Sequence, residues 1–258
     1  CGYRRIRPLV ARLLQSLDAI AAQNDEYAER FCLLGARPET VQRTGSIKFD
    51  GAQTDRDNPK TRQLAELAGI RPDDIVFLAG STQDPEEQLA LDVYRGLVPA
   101  CPQLRLIVTP RHPERFQEVA ELLERSGVAW QRRSRLEERG GDPQARVLLV
   151  DAVGELGAWW GTSRIAFVGG SMGTRGGQNM IEPAAYGAAV SFGPNTSNFR
   201  DVVALMLERQ AAVVVADRAQ LAAFVRRCLA EPAFADELGR RARQLVLEQL
   251  GAADKTCR

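Results

Sequence analysis

The sequence predicts an α/β fold built around a parallel, doubly wound sheet, and three observations support this. Short β-rich runs alternate with helical patterns from Ile75 onward, and strands that alternate with helices form parallel sheets. Several of these runs are apolar throughout, which is typical of strands buried on both faces. The chain has 258 residues, which is enough to bury a complete core.

Seven runs are predicted as strands of this sheet. They are Ile75–Gly80, Leu104–Thr109, Val128–Gln131, Val147–Val150, Ile165–Val168, Ala189–Phe192 and Ala212–Val215. The predicted helices are Pro85–Leu97, Pro113–Ser126, Phe199–Glu208 and Pro232–Gly251. The helix at Pro113 has proline at a favourable first position and is followed by Gly127, a stop signal. Ligands of such sheets bind at the carboxyl ends of the strands, so the loops there are the first candidates for function.

Residues 1–45 are predicted to form a smaller piece, separate from the domain at 46–258. The piece has helical patterns at Leu9–Leu17 and Glu26–Leu34, with a candidate strand at Ala19–Ala22. A polar stretch that ends at Lys60 is interpreted as a linker or domain edge. One helix–strand–helix cannot bury its own apolar faces. Because the basic opening Cys1–Pro8 also shows no clear domain start, we expect an upstream domain.

Composition and charge restrict the classes of function. The formal net charge is +1, so no global field attracts nucleic acid or an anionic membrane. Five cysteines are scattered without a Cys-x-x-Cys pair, which argues against a disulfide framework or a zinc site and favours a reduced cytosolic compartment. The single histidine, His112, excludes His-rich metal sites. No apolar run approaches the roughly 20 residues of a membrane span, and no signal peptide is visible.

The strongest functional signal is the segment Phe167–Pro183, in which a buried strand leads into a loop with five glycines and then into a helix near Asn179. Glycine allows a ligand to approach backbone N–H groups closely. A helix start adds unpaired N–H donors and the positive end of the dipole. The segment therefore predicts a phosphate seat, whose candidate contacts are Gly170, Ser171, Gly176 and Gly177. The alternative is a glycine-rich turn that only reverses the chain.

Glu182 lies near the start of the same helix. There its carboxylate could reach a ribose diol. The alternative is an acidic residue that is favoured only by the helix dipole.

A second signal is the segment Thr109–Arg115, at the carboxyl end of a predicted strand. Arg111 offers a planar fork for phosphate or carboxylate, and a surface salt bridge is the alternative. We interpret Arg115 as a solvated helix residue and His112 as a loop or packing residue.

Weaker candidates complete the rim of the predicted site. Ser81 and Thr82 follow a strand and present two hydroxyls, with an ordinary helix cap as the alternative. The segment Val153–Leu156 follows another strand, with a turn into a helix as the alternative. Lys48 precedes the linker, with a solvated side chain as the alternative. The segment Asp55–Asp57 matches the Asp-x-Asp pattern of metal-using sugar transferases, but it lies in the polar linker, so no metal site is predicted.

Taken in their order along the chain, these segments resemble those of the Kdo (3-deoxy-D-manno-octulosonic acid) transferase family. The matching segments are Gly45–Asp50, Ala79–Thr82, Arg111–Phe116, Gly154–Leu156, Phe167–Pro183, Phe192–Pro194 and Asn198–Asp201. The resemblance covers nearly the whole chain and implies the two-domain B-type (GT-B) glycosyltransferase fold. In this family the N-terminal domain binds a lipid acceptor and carries a membrane anchor and a glutamate base. The Rossmann-like C-terminal domain binds CMP-Kdo.

The resemblance implies that residues 1–45 are a remnant of the acceptor domain and that residues 46–258 bind the donor. It implies CMP contacts at Pro110, Arg111, Val153, Gly154, Glu155, Asn179, Met180, Ile181 and Glu182. Further possible donor contacts are Lys48, Ser81, Thr82, Gly170, Ser171, Gly176 and Gly177. The glutamate base falls outside this chain, which we therefore expect to be inactive alone. Gln178 and Asn195 stand where the family usually has histidine, and they keep hydrogen bonding but lose ionisation.

The implied activity is an inverting, metal-independent transfer of Kdo from CMP-Kdo to a lipid A precursor in lipopolysaccharide biosynthesis. No cofactor and no nucleic acid partner are expected. The implied location is the cytoplasmic face of the inner membrane, with peripheral association in the full-length family. Two alternatives stay open. The first is another GT-B enzyme that uses a UDP-sugar, either a transferase or an epimerase. The second is a non-catalytic nucleotide-binding module.

Overall fold

The computed structural model describes residues 7–256, and the chain forms two compact units. The small unit comprises residues 1–52 and 246–258, and the large unit comprises residues 53–245. Most of the basic opening, residues 1–6, lies outside the described residues. The units divide the chain after Ala52 rather than after Gly45, and the small unit also takes in the C-terminal residues.

The small unit is built on α1 (Arg7–Gln15), β1 (Ile20–Ala22), α2 (Asp25–Leu34) and β2 (Val41–Arg43). Strands β1 and β2 pair in parallel, and β2 was not predicted from the sequence. Leu14, Ile20 and Ala36 form its buried cluster. The second strand thus gives the helix–strand–helix a further apolar surface.

Asp50 explains why the C-terminal residues belong to the small unit. Its carboxylate accepts hydrogen bonds from the backbone N–H groups of Gly251 (2.7 Å), Ala252 (3.3 Å) and Ala253 (2.6 Å). These groups lie where the last helix, Ala252–Thr256, begins. The hydrogen bonds from Ala253 and Gly251 lower the pKa of Asp50, as expected for a carboxylate at a helix start.

The large unit contains a seven-stranded parallel sheet, as predicted. Its strands are β3 (Ile75–Thr82), β4 (Leu104–Pro110), β5 (Trp130–Arg132), β6 (Val147–Leu149), β7 (Ile165–Val168), β8 (Ala189–Phe192) and β9 (Val213–Val214). The strand order is β5-β6-β4-β3-β7-β8-β9, and every neighbouring pair is parallel. The order reverses between β3 and β7, so the ligand crevice of a doubly wound sheet is expected there, at the carboxyl edge.

The helices follow the predicted alternation. They are α3 (Pro59–Leu67), α4 (Glu86–Leu97), α5 (Phe116–Arg125), α6 (Leu136–Arg139), α7 (Leu156–Trp159), α8 (Ile181–Ala185), α9 (Arg200–Glu208), α10 (Arg218–Ala230), α11 (Pro232–Gln249) and α12 (Ala252–Thr256). The core strands β7 and β8 match the prediction to the residue. In contrast, β5 begins later than predicted because Val128 still belongs to the turn after Gly127, where its N–H contacts the Ser126 hydroxyl at 3.3 Å. Within residues 7–256, no helix combines the length and apolarity needed to cross a bilayer.

A buried charge cluster closes the amino edge of the sheet. Asp74, whose side chain has no exposed surface, pairs with Arg105 and Arg146 and accepts a hydrogen bond from the Arg71 N–H at 2.9 Å. Burial alone would raise the pKa of Asp74, but the Arg71 N–H and the two guanidinium groups lower it overall. Breaking such a buried pair leaves an uncompensated charge, which is strongly destabilising.

Gly239 and Gly96 offer a matched stability test, because both are helical glycines. A Cβ at Gly239 would lie 2.1 Å from the Gly187 carbonyl oxygen, whereas a Cβ at the exposed Gly96 meets nothing within 4 Å. We expect Gly239→Ala to lower the free energy of unfolding by about 1–3 kcal/mol. Gly96→Ala should raise it by about 0.5–1 kcal/mol. Urea titration measures both, and a stable Gly239→Ala variant would contradict the packing described here.

Candidate functional site

The three groups of residues with implied CMP contacts follow three strands of the sheet. Pro110 is the last residue of β4 and Arg111 follows it, Val153–Glu155 follow β6, and Asn179–Glu182 follow β7 and its loop. Strands β6, β4, β3 and β7 are consecutive neighbours and all parallel. The three groups therefore lie along the same carboxyl edge of the sheet.

The glycine loop after β7 already holds an anion, which is the carboxylate of Glu86. Its Oε2 accepts from the N–H groups of Gly170 (2.7 Å) and Gln83 (2.9 Å). Its Oε1 accepts from the N–H groups of Ser171 and Met172, both at 2.9 Å. Glu86 is only 1% exposed. This corrects the expectation that the Gly170 and Ser171 amides seat a phosphate, because those donors are occupied.

Sequence reasoning missed Glu86. It lies within the predicted helix Pro85–Leu97, and an acidic residue in the first turn of a helix is common because of the dipole. The local pattern therefore gave no sign that this carboxylate reaches a loop more than 80 positions further along the chain.

The loop can form only because glycines stand at its close approaches. A Cβ at Gly169 would lie 2.6 Å from Thr82 Cα and 2.7 Å from Glu86 Oε2. Gly176 has a φ of +90°, and a Cβ there would lie 2.5 Å from the Ser197 hydroxyl oxygen. Asn198 also ties the loop, since its side-chain amide donates to the Arg175 carbonyl oxygen at 2.9 Å. The glycine-rich segment is therefore a tightly packed loop rather than an open turn.

Two open clefts flank the tip of this loop. The first has a volume of about 500 Å³ and is lined by Gln83, Asp84, Glu86, Gly170, Gly173, Thr174 and Arg175. The second has a volume of about 460 Å³ and is lined by Thr174, Gly176, Pro194, Asn195, Thr196, Ser197 and Arg200. Because Thr174 lines both clefts, the position of the loop determines the shape of each.

The residues Asn179 and Glu182 form a linked pair at the start of α8. The Asn179 side-chain oxygen accepts from the Ile181 N–H, and its amide donates to Glu182 Oε1, both at 3.0 Å. Burial raises the pKa of Glu182 above its ordinary value of 4.5, although Asn179 and the indole of Trp160 act in the opposite direction. Met180 and Ile181 are at most 1% exposed. Their side chains therefore belong to the core, and any ligand contact there is limited to the backbone.

Arg111 and Arg115 differ in exposure and in ion pairing. The Arg111 side chain is exposed and has no ion-pair partner within residues 7–256, while its N–H donates to the Thr82 carbonyl oxygen at 3.0 Å. The prediction that Arg115 is solvated is wrong. It is 16% exposed and pairs with the buried Glu87 at 2.6 Å and with Glu118 at 3.1 Å. Burial raises the pKa of Glu87 despite this pairing.

Several other candidates prove to have structural partners. Thr82 is fully buried, and its hydroxyl lies 3.4 Å from the Thr109 carbonyl oxygen, so this hydroxyl is not open to a ligand. Ser81 is half-buried with a φ of +54°.

Glu155 forms a two-point ion pair with Arg133, both contacts at 2.7 Å. In that segment Val153 and Gly154 remain exposed.

Asn195, one of the two residues in place of the family's usual histidines, borders the segment held by Glu86. Its side-chain amide donates to the Met172 carbonyl oxygen at 3.1 Å. Gln178, the other, packs beside Gly170. The Asn195 amide therefore helps to hold the loop, and the Gln178 side chain packs against it.

The remaining candidates lie away from these loops in the chain. Lys48 belongs to the small unit, in the short turn Ile47–Phe49. The segment Asp55–Asp57 folds around Arg56, whose guanidinium donates to the carbonyl oxygens of Tyr186 (2.6 Å) and Gly161 (3.0 Å). Among the side chains of the described residues, no group of three or more His, Cys, Asp or Glu is placed to hold a metal ion.

Comparisons with known sequences find relatives named 3-deoxy-D-manno-octulosonic acid transferase. The family model of 3-deoxy-D-manno-octulosonic-acid transferase (kdotransferase) matches residues 1–51. The 3-deoxy-D-manno-octulosonic acid transferase of Haemophilus influenzae is 33% identical over 254 residues, which are 98% of this chain and 58% of that protein. The chain thus spans little more than half the length of this curated relative.

The chain is also similar to solved structures. The C-terminal CMP-Kdo binding domain of WaaA from Acinetobacter baumannii is 31% identical with a TM-score of 0.67, covering 72% of this chain and 96% of that one. Anabaena HepE in complex with UDP and glucose is 13% identical with a TM-score of 0.55, covering 98% of this chain and 65% of that one. At that identity the likeness shows the fold alone.

The fold is therefore the Rossmann-like, C-terminal half of a GT-B glycosyltransferase. The chain belongs to the 3-deoxy-D-manno-octulosonic acid transferase family.

The raised pKa of Glu182 gives a pH test. A carboxyl whose pKa is higher in the folded state stabilises the fold below its unfolded pKa, and that stability is lost as the pH rises through the folded pKa. We therefore expect wild type to lose stability relative to Glu182→Gln as the pH rises from about 4 toward neutrality. Urea titrations of both proteins across this range measure the difference. A difference that stays constant with pH would contradict the burial of Glu182.

Proposed function

We propose that residues 53–245 bind the donor CMP-Kdo for transfer of Kdo to a lipid A precursor in lipopolysaccharide biosynthesis. The observation that carries this proposal is the match to the Acinetobacter baumannii CMP-Kdo binding domain, of which this chain covers 96%. The placement of all three candidate loops along one sheet edge supports it, since GT-B and other doubly wound folds bind ligands there.

In the proposed reaction, the oxygen of an acceptor hydroxyl attacks the anomeric carbon of Kdo. The bond from that carbon to the phosphate oxygen breaks, and CMP leaves with the electron pair, which inverts the configuration. The hydroxyl proton passes to a general base, which no residue of this chain is proposed to supply. The contribution of this chain is to hold the donor and to stabilise the charge that develops on the departing phosphate.

Arg111 is the best-placed cation for that charge. Its guanidinium is exposed at the carboxyl edge and has no ion-pair partner in the described part of the chain, so it is free to take a phosphate or the Kdo carboxylate through its planar fork. A charged hydrogen-bond donor fixed beside a leaving group strengthens its contact as charge develops.

Asn179 and Glu182 are proposed to hold the ribose. Asn179 fixes one oxygen of the Glu182 carboxylate at 3.0 Å, and the other oxygen can accept from a ribose hydroxyl. Because Met180 and Ile181 point into the core, their proposed role is limited to the backbone. Gly154 and the exposed Val153 are proposed to contact the nucleotide from the loop after β6.

The remainder of the activity is assigned to parts of the protein outside the large unit. We propose that residues 1–45 belong to the acceptor domain, with the family-model match over residues 1–51 as support. A lipid A precursor as acceptor implies a reaction at the cytoplasmic face of the inner membrane. By this proposal the chain alone binds the donor without turnover.

The first test concerns the nucleotide. We expect CMP to bind the chain more tightly than UDP does. Asn179→Ala combined with Glu182→Ala should weaken CMP binding by roughly tenfold or more, since the variant loses both the Glu182 acceptor for the ribose hydroxyl and the Asn179 contact that orients it. Isothermal calorimetry with the two nucleotides measures both effects. A preference for UDP would favour the UDP-sugar alternative, and unchanged CMP affinity in the double variant would contradict the ribose assignment.

The second test concerns charge. We expect Arg111→Ala to weaken CMP-Kdo binding, because a hydrogen bond to a charged group is worth about 1.5–3 kcal/mol, or roughly 10- to 100-fold in Kd. Arg115 is an unsuitable control because it pairs with the buried Glu87. The exposed Arg95, in the last turn of α4, is the better control, and Arg95→Ala should leave Kd unchanged. Equal losses in the two variants would show that Arg111 is not at the site.

A further inference from the structure

Glu86 is a buried carboxylate whose partners are almost entirely backbone amides of another loop. It accepts four N–H groups, one from Gln83 and three from the consecutive residues Gly170, Ser171 and Met172. Successive N–H groups that converge in this way form an anion-binding concavity. In many proteins such a concavity holds a phosphate, whereas here a side chain of the same polypeptide fills it.

Only a carboxylate satisfies this arrangement. Both of its oxygens are acceptors with no hydrogen to interfere, so each can take two N–H donors. A glutamine in the same place would turn its NH₂ group toward one of the two N–H pairs, and buried donors without acceptors are costly. The four donors therefore require both oxygens of the Glu86 side chain as acceptors.

The contacts of Glu86 fix the base of the loop whose tip forms the clefts. Residues 170–172 lie directly between β7 and the tip at Gly173–Gly176. The tip lines both the 500 Å³ cleft and the 460 Å³ cleft. The same base contacts the turn after β8, since the Asn195 N–H donates to the Ser171 carbonyl oxygen at 2.9 Å. Movement of the base would thus displace walls of both clefts.

We infer that Glu86 is a positioning residue for the donor. Its carboxylate holds residues 170–176 in the conformation that binds the nucleotide sugar, without contacting the nucleotide itself. The inference rests on the proposed function, because it concerns the same carboxyl edge. It also means that the phosphate of the donor is held elsewhere on that edge, since the amides of the loop base are taken.

The test compares two carboxylate-to-amide substitutions in the 258-residue chain. Glu86→Gln removes the charge at the carboxyl edge, and Asp74→Asn removes an equally buried charge at the amino edge of the same sheet. Both variants should lose stability in urea titrations. We expect Glu86→Gln alone to speed amide hydrogen exchange at residues 170–172 and to weaken CMP binding by roughly tenfold or more.

The possible outcomes distinguish the positioning role from the proposed function. Wild-type CMP affinity in Glu86→Gln, or equal loss of affinity in Glu86→Gln and Asp74→Asn, would overturn the positioning role. If Glu86→Gln does not fold, Glu86→Asp replaces it, because aspartate keeps the carboxylate on a shorter side chain. Glu86→Asp should show the same faster amide exchange and weaker CMP binding, and unchanged exchange and affinity would overturn the positioning role. Failure of wild type to bind CMP would contradict the proposed function itself, whereas CMP binding that ignores Glu86 contradicts only this inference.

Discussion

Two adjacent buried glutamates hold the loops at the carboxyl edge of the sheet. The positions of these loops depend on the contacts of the two carboxylates. Glu86 takes three amides of the loop after β7, and Glu87 takes Arg115 in the segment after β4. Both belong to the first turn of α4, which directly follows β3, the central strand. A single helix start therefore fixes loops on either side of the point where the strand order reverses. Any ligand in that crevice meets walls whose positions these two carboxylates determine.

The two edges of the sheet use charge differently. At the amino edge, Asp74 forms ion pairs with two guanidinium groups and accepts a backbone N–H, so opposite charges are paired inside the protein. At the carboxyl edge, Arg115 and Arg133 are paired with glutamates. Arg111, Arg175 and Arg200, however, have no ion-pair partner within residues 7–256. Arg175 and Arg200 line the two clefts, and unpaired cations beside open clefts attract anions. The contrast fits a stabilising role for the amino edge and a binding role for the carboxyl edge, where the proposed donor carries a phosphate and a carboxylate.

The sequence predicted the parts of the fold that depend on local pattern. The apolar runs Ile165–Val168 and Ala189–Phe192 became β7 and β8 without a shift, because strands buried on both faces leave a continuous signal. The short strand β2 was not predicted because it has only three residues, and so short a strand in a two-stranded sheet shows little pattern in the sequence. The placement of the candidate loops at strand ends could also be predicted, since glycines and an arginine after strands are visible in the sequence. Glu86 and Arg115 were misjudged because their partners lie far away in the chain, and long-range pairing leaves no local mark.

The most direct measurement of the central claim is a crystal structure of the chain with CMP bound. We expect CMP to lie against Arg111, Gly154 and the Asn179–Glu182 pair, with the Glu86 carboxylate still accepting the N–H groups of residues 170–172. It would be contradicted if the phosphate occupied those amides with Glu86 displaced, or if CMP bound away from the carboxyl edge of the sheet.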